Sequence, residues 1–60
     1  MTDSEFVLSI CPYAFAYRVS AKKYELSNPT PNGTYVLCEG NSLDEVWRIA
    51  ADKLGRKELP

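Results

Sequence analysis

Apolar and polar residues alternate in three segments of this chain, which is the pattern of a β-strand with one buried face. The segments are residues 6–10, 15–20 and 34–39. The last of them is apolar on both faces, because Tyr35 and Leu37 alternate with side chains that are also apolar. We therefore expect a three-stranded antiparallel sheet with residues 34–39 at its centre.

The alternation slips by one position near Lys22 and Lys23, since Tyr24 and Leu26 are large but fall on the opposite parity. An inserted residue of this kind indicates a bulge or a tight turn. Consecutive lysines also suit an exposed sheet edge, because charge discourages edge-to-edge pairing. The pattern leaves open a fourth short strand at residues 24–26.

Residues 27–33 have the composition of a loop. Pro29 and Pro31 lack the amide hydrogens that regular strand pairing needs. Asn32-Gly33 is the dipeptide most typical of a tight hairpin turn, since both residues tolerate positive φ. We predict a loop here that leads into the strand at residues 34–39.

The helix signal lies at residues 42–55, where apolar side chains recur at steps of three and four residues. Ser42 and Glu45 have the spacing of a capping box, in which each side chain accepts a backbone amide of the other residue. Gly55 can adopt the left-handed conformation that ends a helix. Trp47 and Leu54 are expected to be the main contributions of this helix to the core.

Together these elements predict an α+β fold of order β-β-β-α, with the C-terminal helix packed on one face of the sheet. The 60 residues allow a single domain. Its expected parts are a frayed start at residues 1–4, the sheet within residues 5–39 and the helix at residues 42–55.

Composition limits the function more than it defines it. The net charge is −1, from seven basic and eight acidic residues, so the chain lacks the basic surplus of most nucleic-acid-binding domains. The longest apolar-rich run, residues 13–17, is far too short to cross a bilayer. The start of the chain is acidic, unlike a secretory signal. We expect a cytoplasmic protein without membrane contact.

The chain offers little for catalysis or metal binding. It contains no histidine, the commonest general base and metal ligand. Cys11 and Cys38 lack that base and are too few for a zinc site, so we expect reduced thiols packed in the core. Asp44 and Glu45 are adjacent on a helix and point about 100° apart, so they do not share a site. We expect no enzyme activity, no metal and no cofactor.

Four tyrosines are more than one small core can bury, and tyrosine is enriched in protein interfaces. The basic residues near them could instead contact phosphates, as in nucleic-acid-binding surfaces. The candidate partner-binding residues, taken from the second strand, the lysine pair and the proline-containing loop, are Tyr17, Arg18, Lys22, Lys23, Tyr24, Asn28 and Asn32.

Residues 35–46 resemble the end of the N-terminal domain of HicB antitoxins, where a strand leads through a glycine into an acidic-capped helix. They are also similar to small phage proteins that block a host enzyme. These resemblances imply a non-catalytic regulator. The segment further resembles the last strand and helix of double-stranded-RNA-binding domains. That family needs lysines where this chain has Asp44 and Glu45, which argues against RNA binding.

The sequence thus predicts a small non-catalytic protein-binding module. We expect an inhibitor or regulator of a larger protein or complex, of the kind encoded by phages and mobile elements against a host enzyme or a host defence. One alternative is a weak nucleic-acid-binding module that uses Arg18, Lys22 and Lys23. Another is an antitoxin-like or self-assembling subunit, for example a homodimer, since a core of this size gains from association.

Overall fold

A computed structural model describes residues 2–56 of the chain. Three strands form one antiparallel sheet in which they lie side by side in chain order, and the C-terminal helix packs against it. The α+β class, the three-stranded sheet and the C-terminal helix are therefore confirmed. The elements are α1 (Asp3–Ile10), β1 (Phe15–Ser20), β2 (Lys23–Thr30), β3 (Gly33–Gly40) and α2 (Leu43–Lys53).

The first element is a helix, so the predicted strand at residues 6–10 was wrong. Thr2 and Glu5 form a full capping box: the Glu5 amide donates to the Thr2 hydroxyl at 3.2 Å, and the Thr2 amide donates to the Glu5 carboxylate at 2.8 Å. Asp3 and Glu5 also place negative charge in the first turn, where the helix dipole favours it. Residues 2–4 accordingly belong to the helix start rather than to a frayed end, and Met1 lies outside the described residues.

The position of Val7 explains why the alternation of residues 6–10 led to a wrong strand prediction. Val7 is fully buried, whereas Leu8 and Ile10 are 38% and 49% exposed. A strand would have buried Leu8 and Ile10 together and turned Val7 outwards. An alternating pattern over only five residues is also compatible with a helix. The N-terminal capping box of α1 favours the helix over the strand.

Most of the predicted loop at residues 27–33 belongs to β2, which runs to Thr30, so the loop prediction was wrong except for its last residues. The turn itself is confined to Pro31 and Asn32. Pro29 is tolerated because β1 begins opposite Ser27, so that only β3 lies beside Pro29.

β2 is the central strand and β3 is an edge, which corrects the placement of residues 34–39 at the centre. The open alternative of a fourth strand at residues 24–26 is resolved in the same way, since these residues are part of β2.

The predicted slip in alternation is confirmed as a shift in the pairing of β1 with β2. Arg18 lies opposite Tyr24, but Ser20 lies opposite Lys23, so Val19 is an extra residue in β1. Extra residues of this kind bend a strand and increase its twist.

A second shift occurs between β2 and β3. Leu26 lies opposite Cys38 and Ser27 lies opposite Val36, which leaves Leu37 as the extra residue of β3. The alternation in β3 therefore breaks at its middle, and its two halves do not present one continuous face.

The start of α2 follows the sequence signal with one difference. The Glu45 amide donates to the Ser42 hydroxyl at 3.2 Å, as predicted. The Glu45 carboxylate, however, accepts from the Asn41 amide at 3.0 Å rather than from Ser42. Gly55, with a φ of +104°, takes the left-handed conformation after the helix.

The core lies between the sheet and the helices. Ala50 and Ala51 are buried, whereas Trp47 and Leu54 are only partly buried, so the expectation that those two residues dominate was wrong. Small residues on α2 let the helix approach the sheet closely. The core side chains are Val7, Cys11, Ala14, Leu26, Cys38, Val46, Ala50 and Ala51.

Residues 2–56 form two layers, one of strands and one of helices. The extents of the structure are 32 × 30 × 14 Å, and 14 Å accommodates one sheet and one layer of helices. α1 packs beside α2 in the helix layer, and an ion pair of 2.8 Å between Arg56 and Asp3 joins the segment after α2 to the start of α1. The second face of the sheet therefore has no layer of described residues over it.

None of the helices within residues 2–56 is long and apolar enough to span a membrane.

Candidate protein-binding surface

Strand register identifies the side chains on the uncovered side of the sheet. Ala16, Leu26 and Cys38 lie side by side, and the Cys38 thiol donates to the Val46 carbonyl of α2 at 3.1 Å. This row therefore faces the helices, and the neighbouring rows face away from them. We use the name open face for seven side chains on this uncovered side: Phe15, Tyr17, Lys23, Glu25, Ser27, Val36 and Glu39.

One end of the open face is apolar. Phe15, Ser27 and Val36 form one row across the three strands. Phe15 and Val36 are 45% and 52% exposed, while the small Ser27 between them is buried. The ring of Tyr17 lies 5.6 Å from that of Phe15, within the range of a favourable aromatic pair. The result is a patch of exposed apolar side chains on a flat support.

Hydrogen bonds fix the position of the Tyr17 ring. Its hydroxyl donates to the Glu25 carboxylate at 2.7 Å and accepts from the Ser27 hydroxyl at 3.4 Å. Both partners belong to β2, so the side chain extends from the edge strand over the central strand. A side chain held in this way loses little conformational entropy when a partner covers it.

The other end of the open face is charged. Lys23 forms an ion pair with Glu39 and lies 3.9 Å from Glu25. The hydrogen bond and the charge of Glu39 raise the pKa of Lys23, and Lys23 lowers the pKa of Glu39 for the same reasons. These groups are exposed, so the pair contributes little to stability and serves mainly to balance charge.

The seven residues predicted from sequence do not lie on one surface. Tyr17 and Lys23 belong to the open face. Arg18 and Tyr24 lie opposite each other in the neighbouring row, on the side of the helices. Tyr24 is partly buried against the core, and the Arg18 guanidinium donates to the Ser20 carbonyl at 3.0 Å.

The remaining three residues are distributed along the sheet. Lys22 lies in the turn between β1 and β2, and Asn32 lies in the turn between β2 and β3. These turns are at opposite ends of the sheet, because the strands are antiparallel neighbours. Asn28 is on the helix side by alternation and is partly buried.

This arrangement separates the basic residues that a nucleic-acid surface would need. Arg18 is on the helix side, Lys23 is on the open face and Lys22 is in the turn. Two carboxylates surround Lys23, which would repel a phosphate. The three cations therefore do not form a basic patch.

Two open-face residues, Phe15 and Val36, were absent from the predicted set. The alternation of β1 already placed Phe15 on the same face as Tyr17, and that signal could have found it. The alternation could not have identified Val36, because the extra residue in β3 changes the side of the sheet on which Val36 lies.

The thiols are placed for packing. Cys11 and Cys38 are free and buried. Burial raises the pKa of Cys38, which disfavours the reactive thiolate. Within residues 2–56, no three His, Cys, Asp or Glu residues cluster as a metal site would require, and no pocket forms.

Compared with known proteins, the chain matches no family model, no curated protein and no solved structure. The open face is thus the feature from which a function can be argued.

Proposed function

We propose that the protein is a small non-catalytic protein-binding module, an inhibitor or regulator of a larger protein or complex, and that it binds its partner through the open face. The observation that carries the proposal is the exposure of Phe15, Tyr17 and Val36 together on a sheet face that no described residue covers.

The composition of the open face supports this role. Protein interfaces commonly have aromatic and aliphatic side chains at their centre and polar groups at their rim. Here Phe15, Tyr17 and Val36 form the apolar part, and the pair of Lys23 with Glu39 lies beside it. A partner that covers the apolar end gains hydrophobic free energy without having to desolvate an unpaired charge.

The rigidity of the face supports it as well. The face stands on three hydrogen-bonded strands, and the Tyr17 ring is held by Glu25 and Ser27. A preorganised surface retains more of its contact free energy as affinity. The same flat shape and the absence of a pocket within residues 2–56 fit recognition of a protein surface better than that of a small molecule.

The test compares two lysine substitutions at equally exposed aliphatic residues. Val36→Lys changes the open face, where Val36 is 52% exposed. Ile10→Lys is the matched control, since Ile10 is 49% exposed at the end of α1 in the helix layer. Each variant and the wild type are immobilised and exposed to a lysate of the natural host, and retained proteins are identified after a salt wash.

We expect wild type and Ile10→Lys to retain the same protein complex, and Val36→Lys to lose it, with all three giving the same circular dichroism spectrum. Loss of the complex from Ile10→Lys alone would place the binding surface on the helices. Equal retention by all three proteins, or retention of nucleic acid that is released at moderate salt, would contradict the proposal.

A further inference from the structure

We propose that the outer edge of β1 pairs with β1 of a second copy of this chain, which joins two sheets into one antiparallel sheet of six strands. The inference goes beyond the proposed function, because it concerns the backbone edge of β1, although Phe15 and Tyr17, whose side chains would meet the second copy, also belong to the open face. It would double the open face and place the two halves side by side.

The two edges of the sheet differ in how well they are protected. Edge strands expose unpaired backbone groups, and proteins usually protect them with bulges or lysines. β3 has both: Leu37 is an extra residue in its middle, and the Lys53 ammonium donates to the Leu37 carbonyl at 2.8 Å.

β1 lacks such protection over residues 15–18, which pair regularly with β2. Its extra residue, Val19, lies near its end. Among the described residues, the one side-chain hydrogen bond to the backbone of β1 is from Arg18 to the Ser20 carbonyl, also at its end. The regular part of β1 is therefore free to accept another strand.

The sequence of β1 selects a register for pairing with itself. A twofold axis perpendicular to the sheet keeps the open faces of both copies on the same side, so each residue must pair with one of its own parity. An axis at Arg18 would place two arginines opposite each other. An axis at Ala16 would require Ala14, which lies outside β1 and is only 9% exposed. An axis at Tyr17 avoids both problems; it uses residues 15–18 and reaches Val19, the extra residue at the irregular end of β1.

In that register, Tyr17 pairs with Tyr17 of the second copy, and Phe15 lies beside Val19, the extra residue of the other β1. Aromatic pairs and pairs of an aromatic with a β-branched residue are among the favourable cross-strand combinations. Arg18 lies opposite Ala16, so no like charges meet. Phe15, Tyr17 and Val19 are 45%, 38% and 48% exposed in the single chain, and pairing would cover part of each.

Charge and size also favour association. The net charge of −1 causes little repulsion between copies. A chain of 60 residues buries a small core and gains stability from a larger one.

Sedimentation or light scattering over micromolar to millimolar concentrations tests the proposal on the full chain. Wild type should approach twice the 6.8 kDa of one chain as the concentration rises. Tyr17→Lys places like charges opposite each other at the axis and should weaken the dimer by about tenfold or more. Val36→Lys is the matched control, since it changes the same face on the other edge strand, and it should leave the dimer unchanged.

A mixture of two variants distinguishes the loss of the interface from a folding defect. Tyr17→Lys mixed with Tyr17→Glu should form a heterodimer in which the two substituted residues attract each other, while each variant alone stays monomeric. A wild type that is monomeric throughout would overturn the proposal, as would a dimer that survives Tyr17→Lys or is broken by Val36→Lys. Binding of a host partner is measured independently, with Val36→Lys, so that either proposal can fail alone.

Discussion

At the residue scale, Gly40 is a position at which one added carbon atom would disturb the packing. It ends β3 where α2 begins, and an added Cβ would lie 2.9 Å from the Glu45 carboxylate and 3.1 Å from a methyl carbon of Val46. Glu45 could move, but Val46 is fully buried. The close approach of strand and helix therefore requires glycine at this position.

We predict that Gly40→Ala lowers the free energy of unfolding by about 1–3 kcal/mol, the usual cost of overpacking. Urea denaturation of the purified protein measures it. If contact with Val46 is the cause, the cost should shrink in a Val46→Ala background, where that methyl carbon is gone. Equal costs in both backgrounds would refute the contact with Val46 as the cause.

At the element scale, the two helices begin with the same signal, a hydroxyl residue followed three positions later by glutamate. Thr2 with Glu5 starts α1, and Ser42 with Glu45 starts α2. The signal at Thr2 could have identified α1 from sequence. The strand prediction rested instead on the alternation of residues 6–10, which is too short to distinguish a strand from a helix.

The cap of α1 makes stability depend on pH. The Thr2 backbone amide, and then its hydroxyl, lower the pKa of Glu5 in the folded protein. The stabilisation by this carboxylate is therefore fully present above the pKa of the unfolded chain, and it is lost as the pH falls through the folded-state pKa.

We predict that Glu5→Gln has a lower thermal unfolding temperature than wild type at about pH 7, and that the difference shrinks as the pH falls below the pKa of an ordinary glutamate, about 4.3. Glutamine keeps a carbonyl acceptor for the Thr2 amide and removes only the charge. Glu39, whose pKa is lowered by Lys23, adds to the acid sensitivity of both proteins equally. A difference that persists at low pH would mean that the charge of Glu5 is not its source.

At the scale of the whole molecule, α1 is part of the single core rather than an appendage. Val7 belongs to the same cluster as Leu26 of β2 and Val46 of α2. A helix of eight residues is too short to be stable alone in water, so its packing on α2 must stabilise it. Loss of that packing should weaken the entire fold.

We predict that Val7→Ala lowers the free energy of unfolding of the whole protein by about 2 kcal/mol, from lost burial and the cavity that remains. Leu8→Ala is the control one residue away. Leu8 is 38% exposed, so its truncation should cost less than about 1 kcal/mol. The opposite order in denaturant titrations would indicate the strand arrangement, in which Leu8 faces the core.

The sequence by itself determined the elements whose signals are local. The alternation of residues 15–20, the cap at Ser42 and the stop at Gly55 each depend on neighbours in the chain, and all three are found in the structure. They identify one strand and the C-terminal helix. The predicted number of strands was right although its members were not, because residues 6–10 form a helix and most of the predicted loop belongs to the central strand β2.

Tertiary structure alone decided which strand is central and which face of the sheet stays open. β2 is central because both neighbours pair with it, and Pro29 is permitted there only because β1 does not reach it. The seven residues predicted to bind a partner are separated for the same reason. Tyr17 and Arg18 are adjacent in sequence, but they lie on opposite sides of the sheet, and the helices cover one of those sides. Residues are buried by segments that lie far from them in the chain, so no local sequence pattern shows which residues are buried.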